Sequence, residues 1–335
     1  MRESQPQQRR SDDGDVDVST TTDTTTAGRE LARPAARRTG RKWLKIGLYI
    51  GPAVALYVVF IIVPVAQAVH YSLYGWDGLQ PLTDYIGLGN YREAFGDPAF
   101  RQAIGHNAIL VALSLGLQLP LALGMALLLN RPLRGRGLLR LVFFAPYVIS
   151  EAVTAIVFLQ ILQPDNLVDS ALRAVGLGGL VQLWLADLRL VFYTLFVVIT
   201  WKYIGFAIIL FLAGLQGIPP ELTEAAAMDG ATSWTLLRYI TLPLLGPTLR
   251  IWAFLAVIGS IQLFDIVWIM TLGGPAGASS TMGSYMIDQG VRSLRIGYAT
   301  SVAVILFAIC FVFSILYQIF VLRRDTSGRT SGMAG

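Results

Sequence analysis

The sequence contains little charge, two histidines and a single cysteine. Only 14% of its 335 residues are Asp, Glu, Lys or Arg, whereas 54% are hydrophobic; about 25% charged residues is usual for a soluble domain. This balance excludes a soluble globular protein and also a disordered chain. One cysteine cannot form an internal disulfide, and with two histidines it is too few for a His/Cys metal site. The remaining class is a protein that lies in a lipid bilayer.

Long stretches without charge divide the chain. Three of them, residues 46–69, 107–130 and 296–322, contain no Asp, Glu, Lys, Arg or His. A helix needs about 20 apolar residues to cross the hydrocarbon core, so each run predicts a membrane-spanning helix. Three further apolar segments carry a charge in their interior, and they cover 141–162, 190–215 and 248–272. The sequence therefore predicts an all-α membrane protein with six spans.

Basic residues are distributed unevenly between the two sides of such a chain. If both termini are cytoplasmic, fifteen Lys and Arg flank the spans on the cytoplasmic side and six lie in the three outer loops. This excess follows the positive-inside rule, so both termini are predicted to be cytoplasmic. The polar composition predicts a disordered tail over 1–40, a membrane domain over 41–325 and a second short tail over 326–335. The first apolar run is too long for a signal peptide and follows a 45-residue tail, so it is expected to remain as a span.

The loop between spans four and five, residues 216–247, has the most specific pattern. Two adjacent prolines ending at Pro220 suit the first turn of a helix, where a missing N–H costs nothing. Residues 221–228 then predict a short helix, and Gly230 predicts its end. A second helix is predicted to follow and to end at Pro243. Alanines on the first helix would let another protein approach its backbone closely.

The same loop resembles the signature of a known family. The signature is Glu-Ala-Ala, three residues, Gly, nine residues and Ile-x-Leu-Pro, and it is typical of permease subunits of bacterial ATP-binding-cassette importers. The matching positions are Glu224, Ala225, Ala226, Gly230, Ile240, Leu242 and Pro243. The resemblance covers most of residues 45–325 and points to carbohydrate-uptake permeases of the maltose-F-like or glycerol-phosphate-A-like type. Residues 87–91 and 271–275 are among the segments that resemble this group. One departure follows span three, where many relatives have Gly-Asn and this chain has Asp165-Asn166.

The resemblance implies a fold, partners and roles. The fold would be that of a type I importer permease with a cytoplasmic coupling helix, in the bacterial cytoplasmic membrane. In the family this loop docks on a dimer of a separate ATPase, a second homologous permease completes the pathway, and an extracytoplasmic sugar-binding protein delivers the sugar. The residues expected to couple to the ATPase are Glu224, Ala225, Ala226, Asp229, Gly230 and Pro243.

Cofactor binding is not expected in this chain. It contains no G-x-x-x-x-G-K-[ST] loop, so ATP and Mg are expected on the partner ATPase. No metal site and no nucleic-acid partner are expected.

Polar and aromatic residues inside spans three to five are the candidates for a substrate path. A charged side chain is costly in hydrocarbon, so it should face a cavity, a partner protein or another charge. In the family these spans line the sugar pathway. The candidates are Glu151, Trp201, Tyr203, Ser260, Gln262, Asp265 and Trp268. Two alternatives stay open: Lys202 pairs with Glu151 or Asp265 to join helices, or some of these residues lie at the membrane interface.

Two other functions are compatible with charges inside the membrane. In a secondary transporter driven by an ion gradient, the charges would bind a proton or sodium ion. The complete signature and the lack of a clear internal repeat argue against this alternative. A membrane-embedded enzyme would need a cluster such as His-Glu-x-x-His or Gly-x-Ser-x-Gly, and the sequence contains neither. The sequence thus predicts a transport subunit without catalysis of its own, and it does not identify the sugar.

Overall fold

The computed structural model describes residues 37–132 and 134–322. Within these ranges the regular structure is helical, apart from one antiparallel bridge between Tyr74 and Tyr85. The α-helices are α1 (Arg37–Tyr57), α2 (Val63–Tyr71), α3 (Gly89–Gly96), α4 (Pro98–Leu113), α5 (Leu119–Leu129), α6 (Arg136–Val148), α7 (Glu151–Ile161), α8 (Leu167–Ala174), α9 (Val191–Gln216), α10 (Pro220–Met228), α11 (Ser233–Leu236), α12 (Leu242–Ile261), α13 (Asp265–Thr271), α14 (Met282–Ile287) and α15 (Ile296–Tyr317). Segments of π-helix cover Val58–Ile62, Ser114–Gln118, Leu237–Thr241, Asp288–Arg292 and Gln318–Leu322, and a 3-10 turn covers Gly178–Leu180.

The chain divides into two compact units, residues 1–57 and 58–335. In the first unit the structure describes α1, whose described side chains are exposed. The tail predicted over 1–40 lies outside the described residues except for 37–40. These four residues begin α1, and the predicted boundary at residue 40 stays a prediction. The tail predicted over 326–335 also lies outside the described residues.

Membrane spans account for most of the described chain. Five helical stretches are long and apolar enough to cross a bilayer: Gly47–Tyr71, Pro98–Leu129, Val191–Gln216, Ser233–Thr271 and Ile296–Val321. The pair α6 and α7 is a sixth candidate, bent by 98°. The predicted all-α membrane fold is confirmed, and the number of spans is six when the bent pair counts as one.

The second span begins earlier than predicted, at Pro98 rather than at Asn107. The reason is a helix cap, since Asp97 Oδ1 accepts a hydrogen bond of 2.8 Å from the Ala99 amide. Partial burial raises the pKa of Asp97, but hydrogen bonds from the Tyr285 hydroxyl and the Ala99 amide outweigh it, and the pKa lies below its usual value. The cap therefore carries a negative charge at neutral pH, which the helix N-terminus favours.

Proline does not end the spans, because a wider helical turn precedes it. Pro64, Pro120 and Pro243 each lie in the first turn of an α-helix that directly follows a π-helical segment. Proline lacks an N–H, and its ring would clash with the carbonyl four residues earlier; the wider turn accommodates both changes. The prediction that Pro243 ends a helix is therefore wrong. The helical path continues from Ser233 to Ile261.

Three clusters of buried apolar side chains hold the helices of the second unit together. The first joins α4, α7, α9 and α13, the second joins α3, α4, α12, α14 and α15, and the third joins α5, α9 and α12. In lipid, close packing across small residues is a main source of helix association. Gly205 on α9 is such a contact, because a Cβ added there would overlap the Phe143 carbonyl on α6.

The substitution Gly205→Ala should destabilise the protein. The added methyl group meets a backbone carbonyl, so α6 and α9 must move apart, and we expect a loss of about 3 kcal/mol in the free energy of unfolding. Gly105→Ala is the matched control, because nothing lies within 4 Å of a Cβ at that position. Thermal unfolding of the purified protein in detergent measures both variants. Equal midpoints would contradict the close approach of α6 and α9.

Candidate functional site

A cavity of about 420 Å³ lies among the helices of the second unit. Two carboxylates, Glu151 and Asp265, form part of its wall. Its neutral polar groups come from Ser114, Gln118, Ser260 and Gln262. Its aromatic wall is formed by Tyr147, Tyr203, Phe206, Trp252 and Phe264. A largely apolar cavity with a few converging polar groups is typical of a site for a small molecule.

Two interruptions in the spans place the carboxylates. Span three is interrupted at Ile149 and Ser150, where the backbone is extended, and α7 begins at Glu151. Span five is interrupted over residues 262–264, and α13 begins at Asp265. Each carboxylate thus lies in the first turn of the helix after a break, and α7 and α13 share one apolar cluster. The spans predicted over 141–162 and 248–272 thus each contain a break in the regular α-helix.

Lys202 stabilises the break in span three. A backbone carbonyl without a partner is costly in a bilayer, where no water replaces the lost hydrogen bond. The buried Lys202 ammonium on α9 donates to the Ile149 carbonyl, and Ser150 Oγ caps α7 by accepting a 3.2 Å hydrogen bond from the Val153 amide. A cation also suits the C-terminal end of α6. The alternative that Lys202 pairs with Glu151 or Asp265 differs from the contact observed, in which Lys202 joins α9 to the end of α6 through the Ile149 carbonyl.

Asn107 and Thr281 stabilise the break in span five. Asn107 Nδ2 donates to the carbonyls of Ser260 at 2.7 Å and Ile261 at 3.2 Å, while Asn107 Oδ1 accepts from a backbone amide of α14 at 2.9 Å. Thr281 Oγ1 donates to the Leu263 carbonyl at 2.8 Å. Asn107 and Thr281 are buried, so these bonds replace helical ones without help from water.

Five of the seven predicted path residues line the cavity. They are Glu151, Tyr203, Ser260, Gln262 and Asp265. Trp201 is 40% exposed and packs against Phe158, with ring centroids 4.9 Å apart, while Trp268 stacks on Phe264 at 5.8 Å. Neither tryptophan belongs to the cavity lining. For Trp201 the reason is helical register, because residues two positions apart point about 200° apart and Tyr203 already faces the cavity.

The Tyr203 hydroxyl holds one of the two carboxylates. It donates to Glu151 Oε1, and the ring of Tyr147 lies edge-on to Tyr203, with centroids 6.1 Å apart. Tyr147 also stacks on Phe206 at 4.9 Å. The site therefore combines a carboxylate, which can accept hydrogen bonds from hydroxyl groups, with flat aromatic faces, which can pack against C–H groups.

Several lining residues are not among the sequence-based candidates. Ser114 and Gln118 lie in a span predicted from its lack of charged residues, yet their spacing of four residues places two polar side chains on one helix face and could have identified them. Tyr147, Phe206 and Trp252 lie among many other apolar residues. No feature of the sequence pattern separates these three from core residues.

A second candidate site is the loop between α9 and α12. No residue of α10 is buried. The helix ends with two bonds of a Schellman motif, in which Gly230 N donates to Ala227 O at 3.1 Å and Ala231 N donates to Ala226 O at 3.0 Å. Gly230 has a φ of +79°, a left-handed conformation that favours glycine. The predicted helix over 221–228 and its end at Gly230 are confirmed.

The surface of this loop is exposed and partly apolar. Met228 is 89% exposed and Trp234 is 65% exposed. Glu224 and Asp229 are also exposed, and they add negative charge. Exposed apolar side chains that lie together with charges are typical of a surface that binds another protein.

Solved structures with the same fold come from bacterial importers. A chain of a bacterial alginate ABC transporter, in complex with an alginate pentasaccharide-bound periplasmic protein, matches with a TM-score of 0.74 at 22% identity. The match covers 86% of this chain and 97% of that chain. A chain of a bacterial ABC transporter involved in import of the acidic polysaccharide alginate gives 0.71 at 23% identity, covering 85% and 99%. The fold is therefore that of a multi-pass ABC-importer permease.

Sequence relatives define the family. Residues 118–326 match the family described as binding-protein-dependent transport system inner membrane component. The lactose transport system permease protein LacF of Rhizobium radiobacter is 33% identical over 80% of this chain and 91% of its own length. The diacetylchitobiose uptake system permease protein NgcF of Streptomyces coelicolor is 29% identical over 84% and 82%. This chain belongs to that family of transport permeases, which rules out the alternative of an ion-gradient-driven transporter.

The substitution Asn107→Ala should weaken the break in span five. It leaves the carbonyls of Ser260 and Ile261 and one backbone amide without their partner, and each unpaired buried group costs about 1–3 kcal/mol. We expect the free energy of unfolding to fall by about 3 kcal/mol. Asn130→Ala is the matched control, because Asn130 is exposed at the end of α5. Unfolding in detergent measures both, and an unchanged Asn107→Ala variant would show that the break does not need this side chain.

Proposed function

We propose that this chain is one of two permease subunits of an ATP-driven importer of oligosaccharides. The observation that carries the proposal is the exposed α10–Gly230 loop, which contains the complete importer signature. The names of the relatives support a sugar substrate, since they refer to lactose and diacetylchitobiose transport. The cavity supports it too, because carboxylates, hydroxyls and amides can bind sugar hydroxyls while aromatic rings pack against the C–H faces of the sugar.

Residues 216–247 are the coupling element in this proposal. The exposed α10 docks on the ATPase through Glu224, Ala225, Ala226 and Asp229, and Gly230 fixes the direction in which the chain leaves α10. Pro243 lies in the uninterrupted helical path from Ser233 to Ile261. This path ends directly before the break at the cavity. A movement of α10 can therefore reach the cavity through one rigid element, which is how packed helices transmit a switch between two states.

The partners in this proposal supply what the chain does not contain. A dimer of ATPase subunits binds ATP and Mg, a second homologous permease provides the other half of the pathway, and an extracytoplasmic binding protein delivers the sugar. The structural neighbour in complex with a sugar-bound periplasmic protein supports the last of these partners. The excess of Lys and Arg on one side supports cytoplasmic termini.

The path residues in this proposal are the five predicted ones that line the cavity. They are Glu151, Tyr203, Ser260, Gln262 and Asp265. Trp201 and Trp268 are left out because neither ring reaches the cavity.

The substitution Gly230→Ala tests the coupling role. Alanine in a left-handed conformation costs about 1–2 kcal/mol, so the end of α10 should shift or loosen. We expect ATP-driven uptake by the reconstituted transporter, with lactose and diacetylchitobiose as probes, to fall about fivefold or more. Gly176→Ala is the matched control, because Gly176 has the same φ of +79° and, like Gly230, no atom within 4 Å of an added Cβ.

The two glycine variants separate coupling from backbone strain. Equal losses in both would mean that strain alone lowers uptake, and normal uptake in Gly230→Ala would contradict the coupling role.

The charge reversal Glu224→Lys tests the same surface without backbone strain, since Glu224 is exposed on α10. A carboxylate at a docking surface pairs with a basic partner, and reversal turns this attraction into repulsion. We expect binding-protein-stimulated ATP hydrolysis by the whole complex to fall at least about tenfold, while the purified chain keeps its unfolding midpoint. Unchanged stimulation would remove Glu224 from the docking surface.

A further inference from the structure

The cavity is lined by two acidic side chains and, among the described residues, by no basic one. Glu151 and Asp265 line it, and none of its described lining residues is Lys, Arg or His. Asp265 is exposed and Glu151 is half-buried, so both carboxylates are accessible from the cavity. The other polar lining groups are hydroxyls and amides, which carry no charge.

Lys202 lies behind the cavity wall, where it offsets part of the Glu151 charge but is not accessible to a ligand in the cavity. It is 3% exposed, it is absent from the lining, and its ammonium donates to the Ile149 carbonyl at the break in span three. Tyr203 is the neighbour of Lys202 on α9, and its hydroxyl donates to Glu151 Oε1.

The fold does not determine the charge of the transported sugar. A neighbour with a TM-score of 0.71 belongs to a transporter of the acidic polysaccharide alginate. Any selection that the permease itself makes for or against acidic sugars therefore depends on side chains along the path rather than on the arrangement of the helices. In this chain the two carboxylates are the acidic groups among the described side chains that line the cavity.

We propose that Glu151 and Asp265 act as a charge filter that admits neutral and amino-bearing oligosaccharides and rejects uronates. This inference rests on the proposed function of the chain as a sugar permease. A uronate carboxylate would meet like charge with no cation to pair with it, and repulsion in a partly dry site is stronger than in water. Sugar hydroxyls can donate to both carboxylates, and an ammonium group gains charge-assisted hydrogen bonds.

The test measures binding of three disaccharides to the assembled transporter in detergent, so that the charges of the second permease are included. The probes are cellobiose, the β-1,4-linked glucosamine dimer and digalacturonic acid, which are similar in size but neutral, cationic and anionic at neutral pH. Calorimetry gives the three affinities. We expect digalacturonate to bind at least about tenfold more weakly than cellobiose, and the glucosamine dimer to bind at least as tightly as cellobiose.

The double variant Glu151→Gln with Asp265→Asn should bring the affinity for digalacturonate to within about threefold of that for cellobiose, because both charges are gone while the shape is kept. Asp288→Asn is the matched control, since that carboxylate pairs with Arg292 at 3.1 Å and does not line the cavity. Asp265→Asn alone, at an exposed position, should reduce part of the difference in affinity between cellobiose and digalacturonate. This single variant replaces the double variant in the test if the double variant does not assemble.

Two results would overturn the charge filter: equal binding of cellobiose and digalacturonate to the unaltered transporter, or an undiminished difference in the variants. If the unaltered transporter binds none of the three probes, the proposed function itself is overturned, and the inference with it. Failure of the charge filter and failure of the proposed function are distinguishable, because the charge filter can fail only if binding of a disaccharide is measurable.

Discussion

A backbone carbonyl or amide that leaves a helix inside a bilayer must find a partner within the protein, because lipid offers none. This requirement governs the centre of the structure, where spans three and five are interrupted. The Lys202 ammonium bonds the carbonyl at the first break, and the Asn107 amide bonds two carbonyls at the second. Because both breaks are stabilised in this way, Glu151 and Asp265 begin new helices beside the same cavity.

The second break also relates the cavity to the exposed loop. The helical path from Ser233 to Ile261 begins just after that loop and ends at the break. Its continuity depends on the π-helical segment that precedes Pro243, since a proline in an ordinary helix would kink or end it. A partner that displaces α10 would thus act on the cavity through one continuous element. In the proposed function the two helices have complementary roles: the continuous helix would transmit movement, and the broken helix would expose groups that bind a ligand.

Local features could be predicted from the sequence, and features that depend on distant residues could not. Apolar runs predict the spans, and the prolines and Gly230 predict α10, because each signal lies within a few neighbouring residues. The partnership of Asn107 with the Ser260 carbonyl joins residues 153 positions apart, and no local pattern indicates it. The break after Ile149 had a usable signal, namely Ser150 followed by Glu151, which is a common start of a helix. Among the path candidates, Trp201 fails because polarity and ring type indicate a possible contact but not the direction in which a side chain points.

The most direct test is whether the transported sugar occupies the cavity between the broken spans. Cys310 is the single cysteine and is buried, so a Cys310→Ser background allows one new thiol to be placed by Ser260→Cys at the cavity wall. The measurement is the rate at which a water-soluble maleimide labels this thiol in the assembled transporter, with and without a sugar that the transporter takes up. We expect labelling that the sugar slows and that ATP changes. Labelling at the same rate with and without a transported sugar would contradict the assignment of this cavity to the sugar path.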